Sequence, residues 1–148
     1  MPHPPLTLDV AAVNALLLRA FPDADPTQMA LLTHAEPGRV RVRRPYGAGL
    51  LRPGGVIAGP TLMGIADTAA YGLVLAHVGE ELMAVTSSLV MNFLRGAVPG
   101  DIWAEAALLR LGRRIAVCEV RIWTESAERL AAHATVTYAL PSPKRADD

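Results

Sequence analysis

A single carboxylate interrupts the longest apolar stretch of the chain. Residues 57–78 read IAGPTLMGIADTAAYGLVLAHV, and Asp67 is the only acidic residue among them. Pro60 suits the first turn of a helix, where its missing N–H costs nothing, and Gly79 is a reasonable stop signal. Since a helix that is apolar on every side must be enclosed, the rest of the chain has to wrap around it.

A membrane span is the main alternative for this stretch. Pro60, Asp67, His77 and several glycines argue against it, and no lysine or arginine flanks its C-terminal end. The N-terminal sequence MPHPPLTLDV has no basic segment and no long apolar run, so no signal peptide is predicted. Cys118 is the only cysteine, which excludes an intramolecular disulfide and fits a reducing compartment. We therefore expect a cytoplasmic protein without a membrane partner.

Charge and histidine spacing restrict the function classes further. The 14 basic and 14 acidic residues balance to a formal net charge of zero, so nothing indicates a nucleic-acid groove or a polybasic membrane patch. The four histidines, at positions 3, 34, 77 and 133, show no metal-ligand spacing. We expect neither a nucleic-acid partner nor a metal.

The segments before the apolar helix predict one shorter helix and one strand. Leu8–Phe21 has helical spacing with Asp9 as a plausible N-cap, and Met29–His34 is interpreted as a short turn. The alternating sequence GRVRVRRPY, at Gly38–Tyr46, predicts the first strand.

Four strand-like segments follow the apolar helix and are predicted to form a meander. They are Leu82–Arg95, Ile102–Leu111, Arg114–Glu125 and Glu128–Leu140. Strands segregated from one enclosed helix indicate an α+β fold with a largely antiparallel sheet. The domain prediction is an N-terminal helical extension at 1–36, the main domain at 37–141 and a flexible tail at 142–148.

Asp67 lies on the second face of the predicted helix. At 100° per residue the sheet-facing side comprises Leu62, Ile65, Ala69, Leu73 and Ala76. The opposite side comprises Pro60, Met63, Gly64, Asp67, Ala70, Tyr71 and Val74. Because that side is apolar too, Asp67 is expected at a buried seam against a partner chain, a ligand or both. The alternative is a carboxylate that accepts a hydrogen bond and has no further role.

The start of the same helix offers a second functional group. The backbone N–H groups near Gly59 are free and lie at the positive end of the helix dipole, which suits a developing oxyanion. Gly59 and Asp67 are separated by about 12 Å along the axis, at 1.5 Å per residue. One reacting carbonyl cannot contact both, so a joint site requires two chains with antiparallel helices across a two-fold axis.

Four segments together resemble the hotdog-fold acyl-CoA thioesterases of the phenylacetate-degradation (PaaI-like) branch. They read GPTLMGIADTAAY, AVTSSLVMNFLRGAVPGD, LLRLGRRIAVCEVRIW and LAAHATVTYAL. The resemblance implies a long helix wrapped by a curved antiparallel sheet, assembled as a homodimer or as a homotetramer of two dimers. It also implies an acyl-CoA substrate, with coenzyme A as part of that substrate and no separate cofactor.

The resemblance assigns roles to individual residues. Asp67 matches the carboxylate that attacks the thioester or activates water, and Gly59 matches the glycine whose N–H, from the other subunit, holds the carbonyl oxygen. Thr86 is the best match for a Ser/Thr that helps to place water or substrate. Where the family has an asparagine and a His-Gly-Gly motif, this chain departs, with Arg52, Ala58, Gly59 and Pro60 at the corresponding places.

Other residues are candidates for substrate binding. Arg95, Arg113 and Arg114 could meet coenzyme A phosphates, because guanidinium groups suit phosphate geometry, or they could be solvated strand ends. Met63 and Tyr71 could line an acyl pocket.

Two other functions compete with thioester hydrolysis. One is a non-catalytic hotdog module that binds acyl-CoA or another apolar ligand, which the absent histidine and asparagine favour. The other is a hotdog dehydratase, which needs a histidine near the carboxylate. His77 faces about 80° away from Asp67 on the helix, so the dehydratase ranks last.

Overall fold

The apolar stretch forms the central helix α2 (Gly59–Val78) in the computed structural model, which describes residues 2–142. Pro60 lies in its first turn, and Gly79, with a φ of 88°, caps its end. All five residues predicted to face the sheet are buried. By length and hydropathy the helix could cross a membrane, but 67% of the apolar window is buried inside the protein. It is therefore the core helix that the sequence predicts.

Six antiparallel strands form one sheet, on which α2 packs. In chain order the strands of the structure are β1 (Leu31–Glu36), β2 (Arg39–Arg44), β3 (Leu51–Arg52), β4 (Val56–Ile57), β5 (Val85–Phe93), β6 (Ile102–Leu111), β7 (Ile115–Trp123) and β8 (Ala132–Ala139). The sheet has the order β1-β2-β6-β7-β8-β5, and β3 pairs with β4 in a small ribbon. The α+β hotdog architecture, a long helix packed against a curved antiparallel sheet, is confirmed.

The predicted four-strand meander is wrong in one connection. β5 does not pair with β6 but lies at the far edge of the sheet, where it pairs with β8. The segment between β5 and β6 is not a hairpin turn, because it carries Ala97 into the core, where its carbonyl accepts a hydrogen bond from the Ile57 N–H. The chain thereby crosses from β5 to the other side of the sheet, where β6 pairs with β2.

The N-terminal segment joins the same core. Helix α1 (Val10–Ala20) begins after Asp9, whose side chain accepts a hydrogen bond from the Ala12 N–H as predicted. The turn predicted at Met29–His34 is wrong, because β1 pairs with β2 across the hairpin at Gly38. The segment predicted as a helical extension therefore also contributes an edge strand. Most of the predicted flexible tail, residues 143–148, lies outside the described residues.

Candidate active site

Asp67 lies midway along α2 with one carboxylate oxygen fixed. Its Oδ1 accepts hydrogen bonds from Thr86 Oγ1 at 2.6 Å and from the Tyr138 hydroxyl at 2.7 Å. Within residues 2–142, no hydrogen bond is found to Oδ2. The carboxylate is therefore held by one oxygen, while the other stays available to a ligand.

The sheet register brings both donors to Asp67. Thr86 of β5 and Tyr138 of β8 are directly paired across the two strands. A β-bulge follows Thr86, between Thr86 and Ser88, and bulges commonly re-aim side chains beside functional sites. Tyr138 is on the inward face of β8, which α2 covers. Buried side chains alternate along β8, and this alternation directs the phenol toward the helix.

The Tyr138 phenol remains a hydrogen-bond donor. Burial raises the pKa of Tyr138 well above its usual range, and the hydrogen bond to Asp67 and the charge of that carboxylate add to the effect. Its ring stacks on that of Tyr71, with centroids 5.7 Å apart and planes 12° from parallel. The Tyr71 hydroxyl donates to the Leu82 carbonyl at 2.9 Å. A neutral, packed phenol is therefore directed at the carboxylate.

A pocket of about 280 Å³, open to solvent, lies beside Asp67. Its lining comprises Phe21, Asp67, Thr68, Tyr71, Leu82, Ala84, Val85, Thr86 and Tyr138. The carboxylate lies among aromatic and aliphatic walls, an arrangement that can hold an apolar acyl group next to a nucleophile or base.

Gly59 supplies one unpaired donor at the start of α2. The Ala58 N–H donates to the Leu50 carbonyl, and the Thr61 and Leu62 N–H groups both donate to the Ala58 carbonyl. Pro60 has no N–H, and no acceptor for the Gly59 N–H is found in the described part of the chain. Gly59 and Asp67 lie eight residues apart in one helix, about 12 Å along its axis.

Comparison with known proteins places this chain in a family. The family model described as "Thioesterase superfamily" matches residues 54–138, more than half of the chain. The chain belongs to the thioesterase superfamily. The match includes Gly59, Asp67, Thr86 and Tyr138, so it covers the site described above.

Individual superfamily members resemble the chain over different lengths. A "putative thioesterase" of Silicibacter sp. TM1040 has 33% identity over 93% of this chain and 94% of its own, with a TM-score of 0.83. A thioesterase of Haemophilus influenzae shares the fold, with a TM-score of 0.78, 20% identity and 96% coverage of both chains. A "putative esterase" of Saccharolobus solfataricus is 34% identical over 57% of this chain, and the match spans 60% of that protein's length.

The structure of this superfamily member sorts the predicted site residues into two groups. Tyr71 and Thr86 line the Asp67 pocket, whereas Met63, 40% exposed, is not among its lining residues.

The second face of α2 is buried at Ala70 and Val74 but exposed at Pro60 and Met63. Asp67 is half-buried at the border between these two regions, so the seam expected around it is closed on one side only.

The three predicted arginines do not lie together in one protomer. Arg113 and Arg114 line a groove at the turn between β6 and β7, which Arg110 also lines. Arg95 follows β5 at the opposite end of the sheet, because Val85 pairs with Ala139 whereas Phe93 pairs with Ala132. None of these arginines has a carboxylate within salt-bridge distance among the described residues.

Sequence reasoning missed Tyr138 and Arg110 as neighbours of predicted site residues. The signal for Tyr138 was available, because a tyrosine on the apolar face of a strand needs a partner for its hydroxyl. Arg110 offered no such signal, since its position depends on a register shift between Leu108 and Arg110 in β6.

Two other reactive side chains near the core are occupied or inert. His77 accepts a hydrogen bond from the Gly38 N–H at Nε2 and contacts the Leu73 carbonyl through Nδ1 at 2.9 Å, so both ring nitrogens are engaged. Burial raises the pKa of the Cys118 thiol to about 12, and the Asp67 charge adds to this, which removes it as a nucleophile. No group of three metal-ligating side chains converges within residues 2–142.

The β5 edge of the sheet is open and apolar. Among residues 2–142, β5 pairs only with β8, so its other side faces outward. Val85, Val90, Phe93 and the following Leu94 are each more than half exposed. A long apolar edge without proline or lysine is a template for pairing with another strand.

Proposed function

We propose that the protein hydrolyses acyl-CoA thioesters to a free acid and coenzyme A, with Asp67 as nucleophile or general base. The observation that carries this proposal is the Asp67 carboxylate, fixed through Oδ1 and, among the described residues, unpaired at Oδ2, beside an open pocket with both apolar and polar walls. The reaction needs no cofactor beyond the coenzyme A moiety of the substrate.

Two routes are compatible with this geometry. As a nucleophile, Oδ2 attacks the thioester carbon, the coenzyme A thiolate leaves and water hydrolyses the resulting anhydride. As a general base, Oδ2 takes a proton from water while that water attacks the same carbon. The Thr86 hydroxyl donates its hydrogen bond to Asp67 Oδ1, so its oxygen can accept a hydrogen bond from the attacking water. In a single turnover in ¹⁸O-labelled water, an acid product without label identifies the nucleophilic route with water attack on the Asp67 carbon, because the general-base route always labels the product.

The oxyanion donor is proposed to come from a second subunit. A Cβ on Gly59 would lie 3.4 Å from the Phe93 ring, so the helix start is next to the C-terminal end of β5. Asp67 accepts a hydrogen bond from Thr86, which lies at the N-terminal end of β5. If β5 pairs antiparallel with its copy, Gly59 of the partner subunit approaches Asp67.

The same pairing groups the arginines. Arg95 of the partner subunit would approach the end of the sheet that holds Arg113 and Arg114, beside Arg110. Guanidinium groups form bidentate hydrogen bonds with phosphate oxygens, so this cluster suits the phosphates of coenzyme A.

We expect a homodimer or a dimer of dimers, and we expect Val90→Asp to weaken it. Val90 is near the middle of β5 and 60% exposed, so two copies of the new charge would face each other across a two-fold axis. Light scattering at micromolar concentration should show a monomer fraction for this variant and an oligomer for the wild type. Leu109→Asp is the matched control, because Leu109 is 57% exposed on β6, away from the β5 edge, and its β5 pairing should persist. A wild-type monomer with full hydrolytic activity would contradict the two-chain site.

Phe21 is expected to limit the size of the acyl group. It caps the end of α1, is 50% exposed and forms one wall of the Asp67 pocket. Phe21→Ala should raise kcat/KM for bulky acyl groups relative to short ones by roughly 10-fold, the usual scale for apolar pocket contacts. Leu18→Ala is the control, since Leu18 is an exposed apolar residue of α1 that does not line the pocket. An unchanged ratio for Phe21→Ala would remove Phe21 from the acyl site.

The second candidate function is a module that binds acyl-CoA without turnover. The residues near the helix start favour this second function, because Ala58 and Arg52 stand where the resembled family has the His-Gly-Gly motif and an asparagine. Ala58 offers no side-chain hydrogen bond, and the exposed Arg52 donates to the Pro53 carbonyl. Purified protein should be screened against a panel of acyl-CoAs, with a thiol reagent that reports free coenzyme A. Release of coenzyme A by the wild type but not by Asp67→Asn supports hydrolysis. Saturable acyl-CoA binding without release of coenzyme A supports the binding module.

A further inference from the structure

We propose that Tyr138 is a positioning residue that holds the Asp67 carboxylate in its reactive orientation. This inference rests on the proposed hydrolysis at Asp67. It gives a functional role to β8, the last strand in chain order, whose alternating buried side chains otherwise indicate only apolar packing.

The contacts of the Tyr138 hydroxyl fix both parts of Asp67. The single O–H donates to Asp67 Oδ1 at 2.7 Å, and the Asp67 backbone carbonyl, 3.1 Å away, accepts the weaker branch of the same bifurcated hydrogen bond. One phenol therefore ties the side chain to its own helix backbone. With Thr86 on the same oxygen, rotation of the carboxylate would break two hydrogen bonds, so Oδ2 keeps its direction.

The phenol is itself held in place. Tyr138 is 4% exposed and stacks on Tyr71, whose hydroxyl is bonded to the Leu82 carbonyl. A buried phenol of raised pKa stays protonated over the working pH range, so it donates to the carboxylate throughout.

Among the described residues, three ionisable neighbours of the carboxylate are neutral, and the negative charges of Glu81 and Glu119 act on two of them. The three neighbours are Tyr71 on α2, Tyr138 on β8 and Cys118 on β7, whose pKa values are all raised, in each case chiefly by burial. Since none of these groups carries a positive charge, hydrogen bonds from Thr86 and Tyr138 are the main support of the ionised carboxylate.

Tyr138→Phe removes the donor while it keeps the ring, the stack and the core volume. We expect kcat to fall between about 10- and 100-fold, the range for losing a hydrogen bond to a charged group, with KM changed less than twofold. Tyr46→Phe, which also deletes one tyrosine hydroxyl but lies outside the Asp67 pocket, should leave kcat unchanged.

The double variant Tyr138→Phe with Asp67→Asn separates positioning from general structural support. If Tyr138 acts through Asp67, the Phe substitution should not lower the residual rate of Asp67→Asn any further. An equal loss in both backgrounds would overturn the inference, as would a Tyr138→Phe kcat equal to wild type. In either case the hydrolysis lost with Asp67→Asn still stands, so the two proposals fail separately. A wild type that releases no coenzyme A would overturn both.

Discussion

Replacing Asp67 with asparagine is expected to lower turnover by at least two orders of magnitude while the melting temperature stays unchanged. The amide cannot act as nucleophile or base, and general acid–base groups typically contribute about 10²–10⁴-fold. The structure gives the reason for unchanged folding. The amide oxygen can occupy the place of Oδ1 and accept the same hydrogen bonds from Thr86 and Tyr138.

Asp101→Asn is the matched control for this prediction. Asp101 is also a hydrogen-bonded carboxylate, but its partners are Arg43 and the Tyr46 N–H, away from the pocket. Those hydrogen bonds lower the pKa of Asp101, so the control can cost some stability but should leave kcat unchanged. Wild-type turnover in Asp67→Asn would make the carboxylate a purely structural hydrogen-bond acceptor.

The central helix and its carboxylate could be predicted because their signals are local. Pro60 and Gly79 mark the ends of the helix, and 3.6-residue periodicity separates its two faces without reference to the rest of the fold. A lone acid in an apolar helix demands a partner, which singles out Asp67. Helix geometry alone separates Asp67 from Gly59 by about 12 Å, so a proposed site that uses both residues requires two chains.

The strand order and the partners of Asp67 could not be predicted because they depend on distant contacts. Alternation identifies β5 as a strand but does not say that β8 is its neighbour, since that pairing is set by the crossing through Ala97. β1 was missed because an edge strand with only Leu32 buried shows little alternation. Tyr138 reaches Asp67 across 71 positions in sequence, a distance over which no spacing rule applies.

Gly59→Pro is expected to reduce hydrolysis to near the level of Asp67→Asn. The change removes the one unpaired N–H at the helix start, and loss of a single oxyanion donor typically costs about 10²–10³ in kcat. The helix should survive, because proline suits the first helical turn and this N–H makes no hydrogen bond within the described chain.

Gly59→Ala controls for the added bulk. It places a Cβ next to Pro60 and at ordinary contact distance from Phe93, as proline does, but it keeps the N–H. Activity retained in Gly59→Ala and lost in Gly59→Pro would identify the N–H as the functional group. Equal losses would assign the effect to crowding of the helix start instead.

Subunit complementation between Gly59→Pro and Asp67→Asn tests the shared site most directly. The two folded, inactive variants are mixed, and exchange is confirmed by mass spectrometry of tagged chains. If each site takes Asp67 from one chain and Gly59 from the other, a mixed dimer has one site with both defects and one with neither. We expect half of the wild-type activity per mixed dimer. If both residues served one site within a chain, every site would keep a defect, and no recovery after proven exchange would contradict the two-chain mechanism.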